Sequence, residues 1–290
     1  MLWETFPLWP NNMRELQGMI EIIKNALDED IGSGDVTAEA VFDGSEKGVA
    51  RAVAKSGLVL AGIEVFGKVF ETVDENIEVN ALRRDGDYVE PGEEIARISG
   101  ALGRILTAER VALNLIQKMS GIATATNAFV RAVADTDARI LDTRKTTPGL
   151  RVLEKYAVRT GGGLNHRFGL YGGVLIKENH IAASGGIAET IYKVRKNIPP
   201  AFRIEVEVRN LREVQEALDS GADIIMLDNM KLDDMTEAVK LIGKNALVEA
   251  SGNVTLATVR EIAETGVDFI SVGYLTHSAP AADISLLVEG

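Results

Sequence analysis

The sequence predicts a small α+β region followed by a barrel-like α/β region, and three observations lead to this fold class. Short β-branched segments bounded by glycine or charged turns fill much of residues 48–92, as in a small sheet domain. Beyond residue 139, apolar runs alternate with amphipathic stretches at a spacing of about 20 residues, which is typical of successive βα units. Several of these runs end in polar residues. A doubly wound sheet gives similar alternation, but a barrel gathers all its strand ends on one face and is the better explanation.

The first region opens with a predicted amphipathic helix, because apolar residues recur at helical spacing at positions 16, 19, 20, 23 and 27. A turn-rich stretch over residues 30–35 follows it. Strands are predicted at residues 48–54, 58–61 and 77–82, with turns at 85–87 and 91–92. A long helical pattern then covers residues 107–134, and we expect Gly121 to interrupt it.

The second region alternates strands with helices. Its strands are predicted at residues 139–142, 174–176, 204–208, 224–227, 247–250 and 269–272. Helical patterns lie between them at residues 187–196, 211–220, 232–242 and 256–265.

Composition excludes several classes of function. Lysine and arginine total 31 against 43 acidic residues, and the resulting net charge of −12 argues against nucleic acid or an anionic membrane as partner. Cysteine is absent, so disulfides and thiolate metal sites are excluded, and three scattered histidines lack metal-ligand spacing. The first ten residues carry Trp3, Phe6 and Trp9 without a basic start or an apolar run. We therefore expect neither a signal peptide nor a membrane anchor, and a cytoplasmic protein.

Two carboxylates are candidates for an oxygen-ligated magnesium site. Glu207 shares one strand face with Arg203 and Glu205 and lies nearest the carboxyl end, because side chains alternate with a period of two. Asp228 ends the next apolar run. Magnesium uses one or two protein carboxylates together with waters and substrate phosphates. The alternatives are an edge strand with solvated charges for Glu207 and an ordinary helix cap for Asp228.

Basic side chains concentrate at strand ends and turns of the second region, although the whole chain is acidic. They are Arg144, Lys145, His166, Arg167 and Lys177. Such a set indicates an anionic ligand, since arginine grips carboxylates and phosphates with paired hydrogen bonds and lysine acts as a point charge. For any single residue of the set, surface solubility explains the charge equally well.

Glycine-rich segments at residues 161–163 and 251–253 give the backbone freedom to approach an anion closely. A helix cap and a simple turn are the competing explanations. The sequence contains neither a Walker phosphate loop nor a Gly-x-Gly-x-x-Gly dinucleotide fingerprint.

An ordered series of motifs closely resembles the quinolinate phosphoribosyltransferase family. The motifs are ERVALN at 109–114, DTRKTTPGLR at 142–151, GGLNHR at 162–167, LIKENH at 175–180, EVEV at 205–208, IMLDN at 225–229, ASGN at 250–253 and SVG at 271–273. GDVT at 34–37 also resembles the family. The resemblance spans nearly the whole chain in the family's order.

The resemblance implies an N-terminal open-faced α/β sandwich at residues 1–118 and an incomplete α/β barrel at 119–275. Residues 276–290 are expected to return to the first domain. It also implies a homodimer or a higher homo-oligomer in which Arg110 enters the partner's active site. The implied reaction joins quinolinate to phosphoribosyl pyrophosphate, with Mg²⁺ as cofactor and with loss of carbon dioxide, to give nicotinate mononucleotide on the way to NAD.

By motif position, the resemblance also implies which residues contact the substrates. The substrate-binding residues would be Arg110, Thr143, Arg144, Lys145, His166, Arg167, Lys177, Glu207, Asp228, Ser251, Gly252, Asn253 and Gly273. Glu207 and Asp228 would be catalytic and serve the magnesium, directly or through water or pyrophosphate. Lys145 would be the third catalytic residue and is the candidate donor of the final proton.

Three other functions remain open at this point. A related phosphoribosyltransferase, associated with molybdenum transport or using another heteroaromatic acid, would keep the fold with a different frame of cations. A noncatalytic anion-binding regulator would keep the fold without turnover. An aldolase-type barrel would use Lys177 as a Schiff-base nucleophile.

Overall fold

The computed structural model describes residues 13–289, with side chains from residue 17 onward. Trp3, Phe6 and Trp9 lie outside the described residues, so their role stays open. None of the helices in the described part of the chain is both long enough and apolar enough to span a lipid bilayer.

The chain forms two compact units. The first contains the described residues through Asn127, Thr146–Gly162 and the residues from Ser278 onward. The second contains Ala128–Lys145 and Gly163–His277. The sequence does not anticipate the assignment of residues 146–162 to the first unit, and the boundaries proposed at residues 118 and 275 remain predictions.

The first unit is built on an antiparallel sheet of four strands in the order β12, β1, β5, β3. Its strands are β1 (Lys47–Ala54), β2 (Leu58–Val59), β3 (Glu78–Ala81), β4 (Tyr88–Val89), β5 (Glu94–Ala101) and β12 (Ile284–Val288), with β2 paired to β4. Its helices are α1 (Met13–Ile31), α2 (Val36–Val41), α3 (Ile63–Val73), α5 (Arg151–Thr160) and most of α4 (Leu102–Ala132). Because β12 pairs with β1, the last strand of the described chain completes this sheet.

Helix α3 supplies much of the first unit's core. Its apolar residues recur at helical spacing, and Phe66 and Phe70 are fully buried with ring centroids 5.0 Å apart in an edge-to-face arrangement. Asp85 satisfies the start of the helix by accepting hydrogen bonds from the backbone N–H groups of Gly62 and Ile63. The hydroxyl of Tyr156 on α5 donates to the same carboxylate at 2.5 Å. One buried acid thus ties α5 to the start of α3.

The predicted interruption of the long helix is wrong, because α4 continues through Gly121 without a break. A Cβ atom at this position would lie 2.0 Å from the carbonyl oxygen of Pro280. Gly121 therefore serves a close approach between helix and backbone rather than a bend.

The second unit contains a six-stranded parallel sheet in the order β6, β11, β10, β9, β8, β7. The strands are β6 (Arg139–Leu141), β7 (Val174–Ile176), β8 (Ile204–Val208), β9 (Ile224–Asp228), β10 (Leu247–Ser251) and β11 (Phe269–Ser271). The helices are α6 (Glu178–Ser184), α7 (Ile187–Asn197), α8 (Leu211–Asp219), α9 (Leu232–Ile242), α10 (Val259–Glu264) and α11 (Tyr274–His277). The sheet is an incomplete α/β barrel, so the predicted fold class is confirmed.

The interior position of β8 decides between two explanations of its charges. The strand pairs with β7 on one side and β9 on the other, so the edge-strand alternative is wrong. Ile204, Val206 and Val208 are fully buried on one face, while the other face carries Glu205 and Glu207.

The predicted strands of the second unit differ from the observed ones by at most one residue at an end. Helix α10 starts later than predicted because Thr255 and Thr258 form a hydrogen-bonded turn before it.

Candidate active site

Most of the predicted site residues lie where parallel strands end or just beyond, and we call this edge of the second unit the carboxyl rim. The carboxyl rim comprises Thr143, Arg144, Lys145, Lys177, Glu207, Asp228, Ser251, Gly252, Asn253 and Gly273. The register places Asp228 beside Ser251, and Ser251 beside Ser271. Parallel pairing thus brings together residues that are far apart in sequence.

An ion pair joins two predicted substrate-binding residues of the rim. Lys177 follows β7, and its Nζ donates to Glu207 Oε2 at 2.6 Å. The Glu207 side chain is 16% exposed and the Lys177 side chain 48% exposed. The cation is therefore held in place by Glu207 while about half of the lysine side chain remains accessible to a ligand.

A second cluster forms where β9 and β10 end. Asn229 has a φ of 53°, donates from Nδ2 to Asp228 Oδ1 at 3.0 Å, and accepts from Asn253 Nδ2 at 2.9 Å. Gly252 has a φ of 101°, and a Cβ atom there would lie 2.3 Å from Asn229 Oδ1. Since α9 begins only after Lys231 as its N-cap, the helix-cap explanation of Asp228 is wrong.

Lys145 is held at the rim by its backbone and by a glycine. Its N–H donates to Thr143 Oγ1 at 3.0 Å, and its carbonyl accepts from Thr276 Oγ1 at 2.8 Å. A Cβ atom at Gly273 would lie 3.1 Å from Lys145 Cδ. The absence of a side chain at Gly273 therefore lets the lysine stem pass close to the backbone.

Arg167 lies in a strongly cationic, partly buried position. Its Nη1 donates to the carbonyl of Gly173 at 2.9 Å, while its Nε is buried without a hydrogen-bond partner among the described residues. Burial and the charge of Arg144 lower the pKa of Arg167, and Glu205 opposes the shift. Two neighbouring guanidinium groups, one with an unused donor, favour an anionic ligand.

Asp142 aligns the segment that carries His166 and Arg167. This carboxylate is fully buried and accepts from Asn165 Nδ2 at 2.7 Å and from the backbone N–H of His166 at 2.8 Å. Leu164 forms a parallel bridge with Leu141. The segment thus runs beside β6 like a short additional strand.

His166 points at two buried acids inside the barrel. His166 Nε2 lies 3.0 Å from Glu205 Oε2 and 3.8 Å from Glu249 Oε2. Ser271 donates a hydrogen bond to Glu249, and a carboxylate oxygen of Glu249 lies within 4.8 Å of one of Glu205. Burial, and secondarily the charge of Glu205, raises the pKa of Glu249 to about 8, with His166 and Ser271 opposing the shift.

A cavity of about 660 Å³ adjoins this group. His166, Arg167, Glu205 and Glu249 contribute to its lining. Val174, Ile224 and Phe269 also line it, and because each of these begins a strand, the cavity reaches toward the amino ends of the sheet.

The sequence places Asp142 and Glu205 among the polar residues at strand ends but assigns them no role in the site, and it gives no indication of Glu249 or Ser271. The available signal was a charged residue inside an otherwise apolar strand, as at Glu249 in β10. Such a residue must be paired or neutral when buried.

Arg110 stands apart from the other predicted residues because it belongs to the first unit. It lies on α4, its side chain is 59% exposed, and its Nη2 is 3.9 Å from Glu109 Oε1. Its expected entry into a partner's site stays a prediction.

Comparison with known proteins places the chain in a family. The model of the quinolinate phosphoribosyl transferase N-terminal domain matches residues 35–120, and that of the C-terminal domain matches residues 122–287. The chain belongs to the quinolinate phosphoribosyltransferase family. The resemblance seen in the sequence motifs is confirmed.

Named members of the family are similar over most of their length. A Bacillus subtilis (strain 168) protein named probable nicotinate-nucleotide pyrophosphorylase (carboxylating) is 48% identical over 258 residues, which cover 89% of each chain. An Arabidopsis thaliana protein named nicotinate-nucleotide pyrophosphorylase (carboxylating), chloroplastic, is 46% identical over 92% of this chain and 82% of its own. The solved nicotinate-nucleotide pyrophosphorylase from Francisella tularensis superposes with a TM-score of 0.92 at 40% identity, covering 98% of this chain and all of that one.

Proposed function

We propose that this chain joins quinolinate to the phosphoribosyl group of phosphoribosyl pyrophosphate. The products are nicotinate mononucleotide, pyrophosphate and carbon dioxide, and the reaction belongs to NAD biosynthesis. The observation that carries the proposal is the carboxyl rim, where cations suited to a dicarboxylate lie beside two carboxylates suited to the ribose and pyrophosphate. Membership of the family and the names of its relatives support the same reaction.

The cations make the encounter of two anionic substrates possible. Arg144, Lys145, Arg167 and Lys177 offset the repulsion between quinolinate and the phosphoribosyl donor and hold them in register. The guanidinium of Arg167, next to that of Arg144, is the proposed partner of a substrate carboxylate. In a chain of net charge −12, this local cationic frame also selects the anions over other solutes.

Glu207 and Asp228 are the proposed magnesium-serving residues, directly or through water or pyrophosphate. Both are oxygen donors on neighbouring strands, and two carboxylates beside a phosphate-bearing substrate are the ligand set that Mg²⁺ commonly uses. Magnesium, when bound, neutralises the charge that develops on the departing pyrophosphate. The ligand types at the rim therefore fit this cofactor.

The protein's own groups would assist two successive bond changes. As the bond between C1 of the ribose and the pyrophosphate oxygen breaks, Glu207 and Asp228 stabilise the positive charge that develops on the sugar. The quinolinate nitrogen then bonds to C1 and becomes quaternary. The positive nitrogen stabilises the electron pair that stays on C2 when the 2-carboxylate leaves as carbon dioxide, and that pair then bonds a proton. Lys145, exposed at the rim, is the proposed donor of this proton.

The proposed assembly is a homodimer or a higher homo-oligomer in which Arg110 completes the partner's site. An exposed arginine whose ion pair with Glu109 is as long as 3.9 Å is available for such a contact. The proposed location is the cytoplasm.

Mixed dimers test this assembly. Arg110→Ala and Lys177→Ala homodimers should each be nearly inactive, but a mixed dimer would contain one intact site. Random reassortment should restore activity to about one quarter of wild type. If verified mixed dimers show no recovery while wild-type dimers survive the same exchange treatment, Arg110 serves its own subunit or the fold.

Substrate discrimination tests the reaction itself. Nicotinate lacks the 2-carboxylate and would leave cations without a partner, so kcat/KM should strongly favour quinolinate. Equal efficiency on the two acids would contradict the proposed substrate.

A further inference from the structure

The ring of His166 is fixed from both sides by the protein. Its Nδ1 accepts a hydrogen bond from the backbone N–H of Arg167 at 2.7 Å, so Nδ1 carries no proton in this arrangement. The proton of a neutral ring then resides on Nε2, which donates to Glu205 Oε2 at 3.0 Å. The side chain is only 12% exposed. Both ring nitrogens are thus used to orient the His166–Arg167 segment.

Glu205 depends in turn on a second acid. It is 4% exposed, and its Oε1 is buried without a hydrogen-bond partner in the described part of the chain. Glu249, 1% exposed on β10, has a carboxylate oxygen within 4.8 Å of one of Glu205, and Ser271 on β11 donates to Glu249. Two buried carboxyl groups this close repel each other when both are ionised, so the arrangement favours a proton on one of them, which can then donate to the other.

The same three side chains have the donor types of a cation site. The candidate ligand atoms of His166, Glu205 and Glu249 all lie within 4.8 Å of one another. A proton explains the arrangement better, because both carboxyl groups are almost fully buried and because Arg167, which interacts electrostatically with Glu205, already supplies a cation nearby.

We infer that Glu249, held by Ser271, is a positioning residue that fixes His166 through Glu205 and thereby sets the backbone of Arg167 for substrate recognition. Glu249 acts here as a neutral hydrogen-bond donor. The chain of contacts runs from β11 through β10 and β8 to the segment beside β6. The expected effect of Glu249 on quinolinate kinetics rests on the proposed function, whereas its expected effect on the His166 ring does not.

Two variants of similar size separate a neutral donor from a mere space filler. Glu249→Gln keeps an acceptor for Ser271 and an N–H donor for Glu205, whereas Glu249→Leu removes both. Glu189→Gln, an exposed acid-to-amide change in the same unit, is the matched control. Circular dichroism and denaturation establish that each variant is folded before any other measurement.

The first readout is the protonation form of the His166 ring, measured by two-bond ¹H–¹⁵N NMR of protein with ¹⁵N-labelled histidine. The chain has three histidines, and spectra of His180→Gln and His277→Gln assign the remaining signals to His166. We expect a proton on Nε2 alone in wild type, in Glu249→Gln and in Glu189→Gln, and loss of this fixed form in Glu249→Leu. Wild type with the proton on Nδ1, or a folded Glu249→Leu with an unchanged His166 signal, would overturn the inference.

The second readout is quinolinate recognition. Glu249→Gln should keep kcat/KM within about twofold of wild type. Glu249→Leu should lose up to about 100-fold, mainly through KM for quinolinate, because a displaced Arg167 meets its ligand poorly. A Glu249→Gln variant as defective as Glu249→Leu would show that a charged carboxylate is needed and would overturn the neutral-donor role.

Two further results keep the hypotheses separate. Elemental analysis of purified protein tests the cation alternative. One metal ion per chain in wild type and none in Glu249→Gln would show that a cation, and not a proton, lies between these acids, and would overturn the inference. If wild type does not turn over quinolinate at all, the proposed function fails, while the NMR result still decides whether Glu249 positions His166.

Discussion

Replacing Glu249 by glutamine should change how the stability of the protein depends on pH. The folded protein holds the proton of Glu249 up to a pKa of about 8, whereas an ordinary glutamate releases it near 4.5. Unfolding therefore releases a proton between these values, and stability falls as pH rises. The stabilising contribution of protonated Glu249 is complete below pH 4.5 and is lost progressively toward pH 8. From pH 6 to pH 8 the loss amounts to about 2 kcal/mol for this single group.

Denaturant unfolding at pH 6, 7 and 8 measures this effect directly. Glu249→Gln has no proton to release, so it should gain about 2 kcal/mol relative to wild type across the same range. Glu205 and His166, which face Glu249, remain in both proteins, and Glu189→Gln controls for the loss of an acid elsewhere. Parallel stability curves for wild type and Glu249→Gln would refute a buried, protonated Glu249.

Three other substitutions test separate parts of the structure. Gly252→Ala should lower turnover on the order of tenfold, because the residue has a φ of 101° and the added Cβ atom would lie 2.3 Å from Asn229 Oδ1. Gly221→Ala is the control, since its φ of 77° is also positive but no described atom lies within 4 Å of the added Cβ. This control should cost only about 1 kcal/mol of stability. Equal kinetics for the two variants would remove the first glycine from the site. Tyr156→Phe should lower the free energy of unfolding by about 1–3 kcal/mol, because buried Asp85 loses its hydroxyl donor and keeps the backbone donors of Gly62 and Ile63, and an unchanged denaturation midpoint would contradict this. Arg144→Lys should weaken quinolinate binding in calorimetry despite normal folding, because paired recognition is lost, and unchanged affinity would exclude Arg144 from the site.

The alternation of apolar and polar segments was enough to predict the parallel strands of the second unit. Strands that are buried between helices appear in the sequence as short apolar runs. In β8, apolar and acidic side chains still alternate along the strand although Glu205 is buried. Helix α5 was not predicted. Its buried residues include Glu154 and Lys155, so its burial pattern does not follow hydrophobicity.

The carboxyl rim was predictable because its residues end strands that the sequence already indicates. The acids inside the barrel were not, because their role depends on which strands become neighbours. Glu249 and Ser271 are 22 residues apart and meet only through the pairing of β10 with β11. Gly121 shows the same limit. Glycine is required there because the backbone of Pro280 approaches the helix closely, and no pattern within α4 reveals that contact.

The proposed reaction is tested most directly by analysing its products. Purified protein would be incubated with quinolinate labelled with ¹³C in the 2-carboxylate, phosphoribosyl pyrophosphate and Mg²⁺, and the products analysed by mass spectrometry. We predict unlabelled nicotinate mononucleotide and labelled carbon dioxide in equal amounts, with no product when phosphoribosyl pyrophosphate is omitted. Folded, assembled protein that forms neither product under these conditions would contradict the proposed function.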